Sequence, residues 1–100
     1  MLEPIKPGDE LYPYVDVTEN GIQRSRKRLD WTPSKQLDLN IRTIKYLMQF
    51  QENKYSIGVS RMFSVWIPMA EKMGSRDQIN ILKKLKIMFE NGLPYQGNTS

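Results

Sequence analysis

The sequence contains no cysteine and no histidine. Their absence excludes zinc sites of the usual kinds, thiol nucleophiles, and every catalytic triad or general base that depends on imidazole. Carboxylates such as Asp77 and Glu90 are isolated, with no partner base beside them. We therefore expect neither an enzyme nor a bound metal or cofactor.

Long apolar runs are also absent. No stretch approaches the ~18 apolar residues that a membrane-spanning helix needs. The first ten residues are acidic and interrupted by Pro4 and Pro7, where a signal peptide has a basic start and an apolar run. These features predict an intracellular protein, cytoplasmic or nuclear, without a membrane partner.

The net charge of +4 is unevenly distributed along the chain. Residues 1–20 carry five acidic side chains and one basic, whereas residues 21–35 carry five basic and one acidic. The remaining 65 residues add nine basic and five acidic side chains. A basic body behind an acidic arm favours polyanion binding, although the same charge also serves solubility.

The densest positive charge follows a turn signal. Asn20-Gly21 is a strong hairpin dipeptide, and the alternation that ends at Val17 predicts a short hairpin that returns through Ile22. The return strand is expected to be very short, because residues 24–28 contain four cations: Arg24, Arg26, Lys27 and Arg28. Such a cluster contacts phosphates, acts as a nuclear import signal, or forms a solvated linker.

Three helices are predicted, near residues 33–52, 59–73 and 75–91. Thr32 and Pro33 suit the start of the first helix, and Pro68 predicts a break in the second. Gly74 is expected to end the second helix, and Ser75 with Gln78 fits a capping box that starts the third. The apolar composition of residues 62–73 predicts that the second helix is covered on most sides.

These elements predict an all-α or nearly all-α fold in which three helices occupy residues 29–93. Residues 1–28 form an extended arm, acidic and then basic, that is expected to be only partly ordered apart from the short hairpin. Residues 94–100 form a flexible tail.

The third helix and its approach resemble a known DNA-binding motif. The features concerned are Ala70, Gly74, Ser75 and the exit Asn91-Gly92-Leu93. Residues 69–93 thereby resemble the helix-turn-helix half of winged-helix DNA-binding regulators, in which the second helix presents polar side chains to base edges. The resemblance implies base readout by Arg76, Gln78 and Asn80, residue types that suit the major groove.

The same region also resembles the BESS motif, a paired-helix interaction motif of some chromatin proteins. The resemblance covers residues 64–68, Met73 and the lysine-interleaved apolar run 79–89. It implies that Trp66 and Phe63 anchor a partner or a second copy. Tyr12 and Tyr14 are further candidates, because the run from Leu11 to Val15 resembles the Tyr-Pro late-budding motifs of some viral proteins.

The sequence thus predicts a small nucleic-acid-binding protein, in particular a DNA-binding regulator or packaging protein. The alternative is a protein-interaction module, a viral or chromatin accessory protein, and a homodimer or a protein partner stays open. The residues expected to contact phosphates are Arg24, Arg26, Lys27, Arg28, Lys83, Lys84 and Lys86.

Overall fold

The computed structural model describes residues 1–95 and shows an α+β fold. It contains a two-stranded antiparallel sheet followed by three helices. The elements are β1 (Tyr14–Glu19), β2 (Ile22–Lys27), α1 (Pro33–Met48), α2 (Ile57–Met73) and α3 (Arg76–Glu90), with one 3-10 turn at Gln51–Asn53. The prediction of an all-α fold is therefore wrong.

The hairpin is longer than predicted because its turn fixes the pairing of both strands. Asn20 and Gly21 have φ of 53° and 76°, the positive values of a type I′ turn. The register runs from Glu19 opposite Ile22 to Tyr14 opposite Lys27, so β2 has six residues and includes most of the basic cluster. An exposed strand needs no apolar alternation, and every residue of β2 is exposed.

Helix α1 begins as predicted and ends early. The Thr32 hydroxyl accepts a hydrogen bond from the Lys35 N–H at 3.1 Å, and Pro33 is the first helical residue. The helix stops at Met48 because Phe50 adopts extended backbone, with φ −95° and ψ 131°. The Leu47 carbonyl then accepts from the Phe50 N–H at 3.3 Å and from the side chain of Asn53 at 3.1 Å.

Helix α2 is continuous, so the predicted break at Pro68 is wrong. Pro68 is exposed and lies on the side of the helix opposite the buried Val59, Phe63 and Ala70. At such a position the carbonyl of Ser64, which lacks its helical donor, can be hydrated, and the proline ring displaces no core side chain.

Glycines end the second and third helices, as predicted. Gly74 and Gly92 both have φ of 69°. After α3 the Leu93 N–H donates to Met88 and the Gly92 N–H to Phe89, which is the Schellman pattern. The predicted capping box does not form, because the Ser75 side chain makes no cap hydrogen bond.

The core lies between the three helices. Its buried apolar members are Leu37, Ile41, Ile44 and Met48 from α1, Val59, Phe63 and Ala70 from α2, and Leu82 and Leu85 from α3. Burial of α2 is one-sided, since Val65 and Met69 are 54% and 41% exposed. The expectation that this helix is covered on most sides is therefore wrong.

Both ends of the described chain pack on α1. Leu2 exchanges two backbone hydrogen bonds with the Gln49 amide, at 2.8 and 2.7 Å, so the start of the arm contacts the end of α1. Tyr95 packs against the core and its N–H donates to the Met48 carbonyl at 3.3 Å. The rest of the predicted flexible tail, residues 96–100, lies outside the described residues.

The hairpin projects from the helical body. The Cα radius of gyration is 15.4 Å, whereas ~13 Å is usual for a compact chain of this length. The longest dimension is 52 Å, although the longest helix, with 17 residues, spans only about 25 Å. The strands pack on each other and make no extensive contact with a helix of the described chain.

Within residues 1–95, no helix combines the length and apolar character needed to span a bilayer.

Candidate nucleic-acid interface

The projecting hairpin has two faces of different chemistry, because side chains alternate along each strand. One face, here called the arginine face, carries Val15, Val17, Glu19, Ile22, Arg24 and Arg26. The opposite face carries Tyr14, Asp16, Thr18, Gln23, Ser25 and Lys27. The linear cluster of cations is therefore split, with two arginines on one side of the ribbon and Lys27 on the other.

On the arginine face, one carboxylate is held by two guanidinium groups. Glu19 Oε1 lies 2.7 Å from Arg26 Nη2 and 3.4 Å from Arg24 Nε. Arg26 Nε also donates to Glu19 Oε2 at 3.4 Å. All three side chains are roughly half exposed, so water competes with these ion pairs.

The fourth cation of the cluster is built into the base of the hairpin. Arg28 donates to both carboxylate oxygens of Asp30, at 3.0 and 2.8 Å, and to the Glu10 carbonyl. Lys35 donates to the same Asp30 at 3.1 Å. Hydrogen bonds from Arg28 and Lys35 lower the pKa of Asp30 from 3.8 to about 2. Because Arg28 is bonded to Asp30 and to the Glu10 carbonyl, it is less free than the other cations to bind phosphate.

Helix α3 presents a row of mainly polar side chains to solvent. Arg76, Asn80, Lys83 and Ile87 recur at helical spacing, are all exposed, and lie opposite the buried Leu82 and Leu85. Lys84 is exposed beside this row, and Lys86 lies on its flank. Lys83 makes one loose ion pair, 3.7 Å from Glu71, with both side chains about half exposed.

Gln78 does not belong to this row. It is 6% exposed, and its amide donates to Asp38 Oδ1 at 2.6 Å and to the Ser34 carbonyl at 3.1 Å. Base readout by Gln78 is incompatible with this placement, because the side chain joins α3 to α1 inside the protein. The spacing of Gln78 from Leu82 and Leu85, four and seven residues, is the sequence signal that it faces inward.

The hairpin and the start of α3 lie at the same end of the helical body. The ion pairs of Asp30 hold the base of the hairpin near Lys35 in the first turn of α1. The Gln78 hydrogen bonds hold the first turn of α3 against the same part of α1. Arg76 therefore lies at the end of the body from which the hairpin projects, and the lysines of α3 lie farther along that helix.

Of the four residues predicted for the alternative, a protein interface, one is interior and Tyr14 is 48% exposed. Phe63 is 1% exposed, and Trp66 is half-buried against the core. Tyr12 is half-buried, and its ring meets that of Tyr14 edge-on at 6.2 Å on the face opposite the arginines. Trp31 is half-buried too, and its indole N–H donates to the side-chain oxygen of Gln36 at 3.0 Å.

Two acidic residues, Glu19 and Asp30, shape this surface and were not among the predicted site residues. Glu19 directly precedes the turn dipeptide, and the tight turn brings it near the cations that follow in the chain. Asp30 lies two residues after Arg28, a spacing that the sequence already displays. Together these acids engage three of the four cations of the cluster.

Residues 1–95 contain no group of acidic residues arranged to hold a metal ion. No family model matches the chain, and neither a curated protein nor a solved structure gives a significant match.

Proposed function

We propose that this chain is an intracellular nucleic-acid-binding protein, a DNA-binding regulator or packaging protein, that contacts its ligand through the hairpin and the outer row of α3. The observation that carries the proposal is the projecting hairpin. It holds Arg24 and Arg26 clear of the helical body on a ribbon of two strands. A two-stranded ribbon is one of the elements that the major groove of B-DNA accommodates.

Helix α3 supplies the second part of the proposed interface. Lys83 and Lys84 are exposed cations for phosphate contact, and Arg76 and Asn80 are exposed polar residues of types that read base edges. The ion pair of Lys83 with Glu71 does not oppose this role, since exposed pairs at such a distance contribute little.

The test is fluorescence anisotropy of a labelled random duplex across a salt series. We expect a steep fall of affinity with salt, because each phosphate contact contributes about −0.9 to the log–log slope. Arg24→Ala with Arg26→Ala, and separately Lys83→Ala with Lys84→Ala, should each make the slope less steep by roughly two contacts. Absence of binding at low salt would reject the proposal.

A matched control removes the same charge elsewhere. Two cations lie towards the end of the body opposite the hairpin. Lys54 lies beside Gly92 at the end of α3, and Arg61 is exposed near the start of α2. Arg61→Ala with Lys54→Ala lowers the net charge by two, as the test variants do, and should leave the slope unchanged. An equally reduced salt slope in all three double variants would mean that net charge, not a defined interface, determines binding.

A protein-interaction role is the second candidate, and an exposed apolar row favours it. Val65, Met69 and Met73 lie one helical turn apart along α2 and are 54%, 41% and 36% exposed. Size-exclusion chromatography with light scattering tests this role. Val65→Ser with Met69→Ser should abolish any association without unfolding the monomer, whereas Trp66→Ala should impair folding because Trp66 packs on the core.

A further inference from the structure

The arginine face of the hairpin contains an anion site that is already filled. Arg24 and Arg26 lie two residues apart on the same side of β2, and both reach Glu19 Oε1. Arg26 makes a two-point contact with this carboxylate, through Nε at 3.4 Å and Nη2 at 2.7 Å. A planar guanidinium that binds a carboxylate in this way presents the donor geometry that also binds a phosphate group.

The carboxylate in this site can be displaced, unlike the one at the base of the hairpin. The two arginines that hold Glu19 are 50% and 53% exposed, and Glu19 itself is 42% exposed. Asp30 is 59% exposed, but the cations that hold it are more covered: Arg28 is 21% exposed and also bonds the Glu10 carbonyl, and Lys35 is 28% exposed. Exposed ion pairs are weak and screened by salt. A polyanion gains more binding free energy from the same two arginines than the Glu19 carboxylate does, because the binding of several phosphates also releases the polyanion's condensed counterions.

We propose that Arg24 and Arg26 form a phosphate-binding pair that the Glu19 carboxylate occupies in the free chain and that a phosphodiester of the nucleic acid takes over on binding. The inference rests on the proposed function and deepens it by orienting the ribbon. The arginine face, with Val17 and Ile22, meets the nucleic acid. The face with Asp16 and Lys27 points away from it.

Two substitutions of equal charge separate this site from general electrostatics. Glu19→Gln and Asp16→Asn each remove one negative charge from β1, but on opposite faces, and Asp16 makes no ion pair among the contacts of residues 1–95. We expect Glu19→Gln to raise duplex affinity roughly two- to tenfold by freeing both arginines. Asp16→Asn should change affinity less than about twofold. Equal gains would overturn the proposal.

Two neighbouring cations provide the converse comparison. Arg26→Ala and Lys27→Ala each remove one positive charge, again from opposite faces of one strand. The Arg26 variant should lose affinity and make the salt slope less steep by about one contact, whereas the Lys27 variant should keep the wild-type slope. In a background of Arg24→Ala with Arg26→Ala, Glu19→Gln should no longer strengthen binding. A larger loss of affinity in Lys27→Ala than in Arg26→Ala would place the opposite face at the interface and reject the assignment.

The outcomes distinguish this inference from the function on which it rests. The wild-type chain could bind duplex with a steep salt slope while Glu19→Gln and Asp16→Asn change its affinity equally. In that case the assignment of the arginine pair is wrong and nucleic-acid binding stands. If neither the wild type nor the Glu19 variant binds duplex, the function itself fails. Binding to phosphatidylserine vesicles without binding to duplex would assign the pair to a lipid phosphate and overturn the proposal. Amide shifts of Thr18 and Gln23, which face each other in the ladder, verify that each variant keeps its hairpin.

Discussion

At the scale of single residues, Arg28 and Asp30 show how one ion pair fixes the hairpin to the helical body. Arg28 links Asp30 to the Glu10 carbonyl, and its own N–H donates to the Pro13 carbonyl at 2.8 Å. Lys35 brings the first turn of α1 into the same cluster. Three segments of the chain therefore depend on one carboxylate being charged.

This dependence predicts a specific loss of stability in acid. The pKa of Asp30 is about 2 in the folded chain, below its ordinary value of 3.8, so the charged carboxylate stabilises the fold above pH 3.8. That contribution falls as pH decreases from 3.8 and is lost below about 2. Wild type should therefore have a higher thermal midpoint than Asp30→Asn at pH 7, and the difference should shrink towards zero near pH 2.

The measurement is a series of circular-dichroism melts between pH 7 and pH 2. Asp16→Asn is the control, because Asp16 lies on the exposed hairpin and has no ion pair among the described residues. Its midpoint should follow that of the wild type at every pH. A difference between wild type and Asp30→Asn that stays constant down to pH 2 would contradict the assignment.

At the scale of elements, Pro68 is the feature of α2 that sequence reasoning misjudged. A proline inside a helix removes a hydrogen bond and costs about 3 kcal/mol relative to alanine. Here that cost is tolerated because the core contacts of Val59, Phe63 and Ala70 hold both halves of the helix from the other side.

Pro68→Ala should therefore stabilise the chain. Alanine restores an N–H donor for the Ser64 carbonyl, and no packing is lost because Pro68 is exposed. We expect a gain of about 1–3 kcal/mol in the free energy of unfolding, measured by urea denaturation with an unchanged m-value. Lys72→Ala, on the same exposed side, should stay within about 0.5 kcal/mol of wild type. A destabilised Pro68 variant would show that the proline sets a bend that the core requires.

Three helix boundaries were predictable because one or two local residues determine each of them. Thr32 with Pro33 starts α1, and the glycines at 74 and 92 end α2 and α3, because capping and left-handed backbone depend on one or two residues. The start of α2 at Ile57, where the Ser56 hydroxyl accepts from the Val59 N–H at 3.3 Å, was predicted two residues late. The end of α1 was not predictable. Gln49, just beyond it, is bound to Leu2, 47 residues away in sequence, a contact that no local pattern encodes.

The sheet and the site were predictable only in part. The Asn20-Gly21 turn was visible in the sequence, but β2 has no apolar alternation, and only its pairing with β1 makes it a strand. The cations were visible as well. Whether each cation is available to bind phosphate depends on its partner in the fold. Arg28 and Arg26 therefore differ, although they are only two residues apart in sequence. Gln78 resembled its exposed neighbours in chemistry and differs from them only in the side of α3 that it occupies.

At the scale of the whole molecule, the elongated shape results from the hairpin rather than from the helices. A hairpin without a packing partner is marginally stable in water, and this one is held by its type I′ turn, its ladder and the ion pairs at its base. The helical body has its own core, to which neither strand contributes a buried side chain. The two parts should therefore be separable.

Replacing residues 16–25 by Asn-Gly tests this separation, because the new turn joins Val15 directly to its ladder partner Arg26. The shortened chain should keep its helical circular dichroism and its urea midpoint. Its radius of gyration, measured by small-angle X-ray scattering, should fall from near 15.4 Å to about 13 Å. A dilution series is the control, since self-association also raises the radius of gyration. If the shortened chain loses its helices, the hairpin belongs to the folding unit; if it keeps them and also keeps the full salt slope for duplex DNA, α3 alone forms the interface.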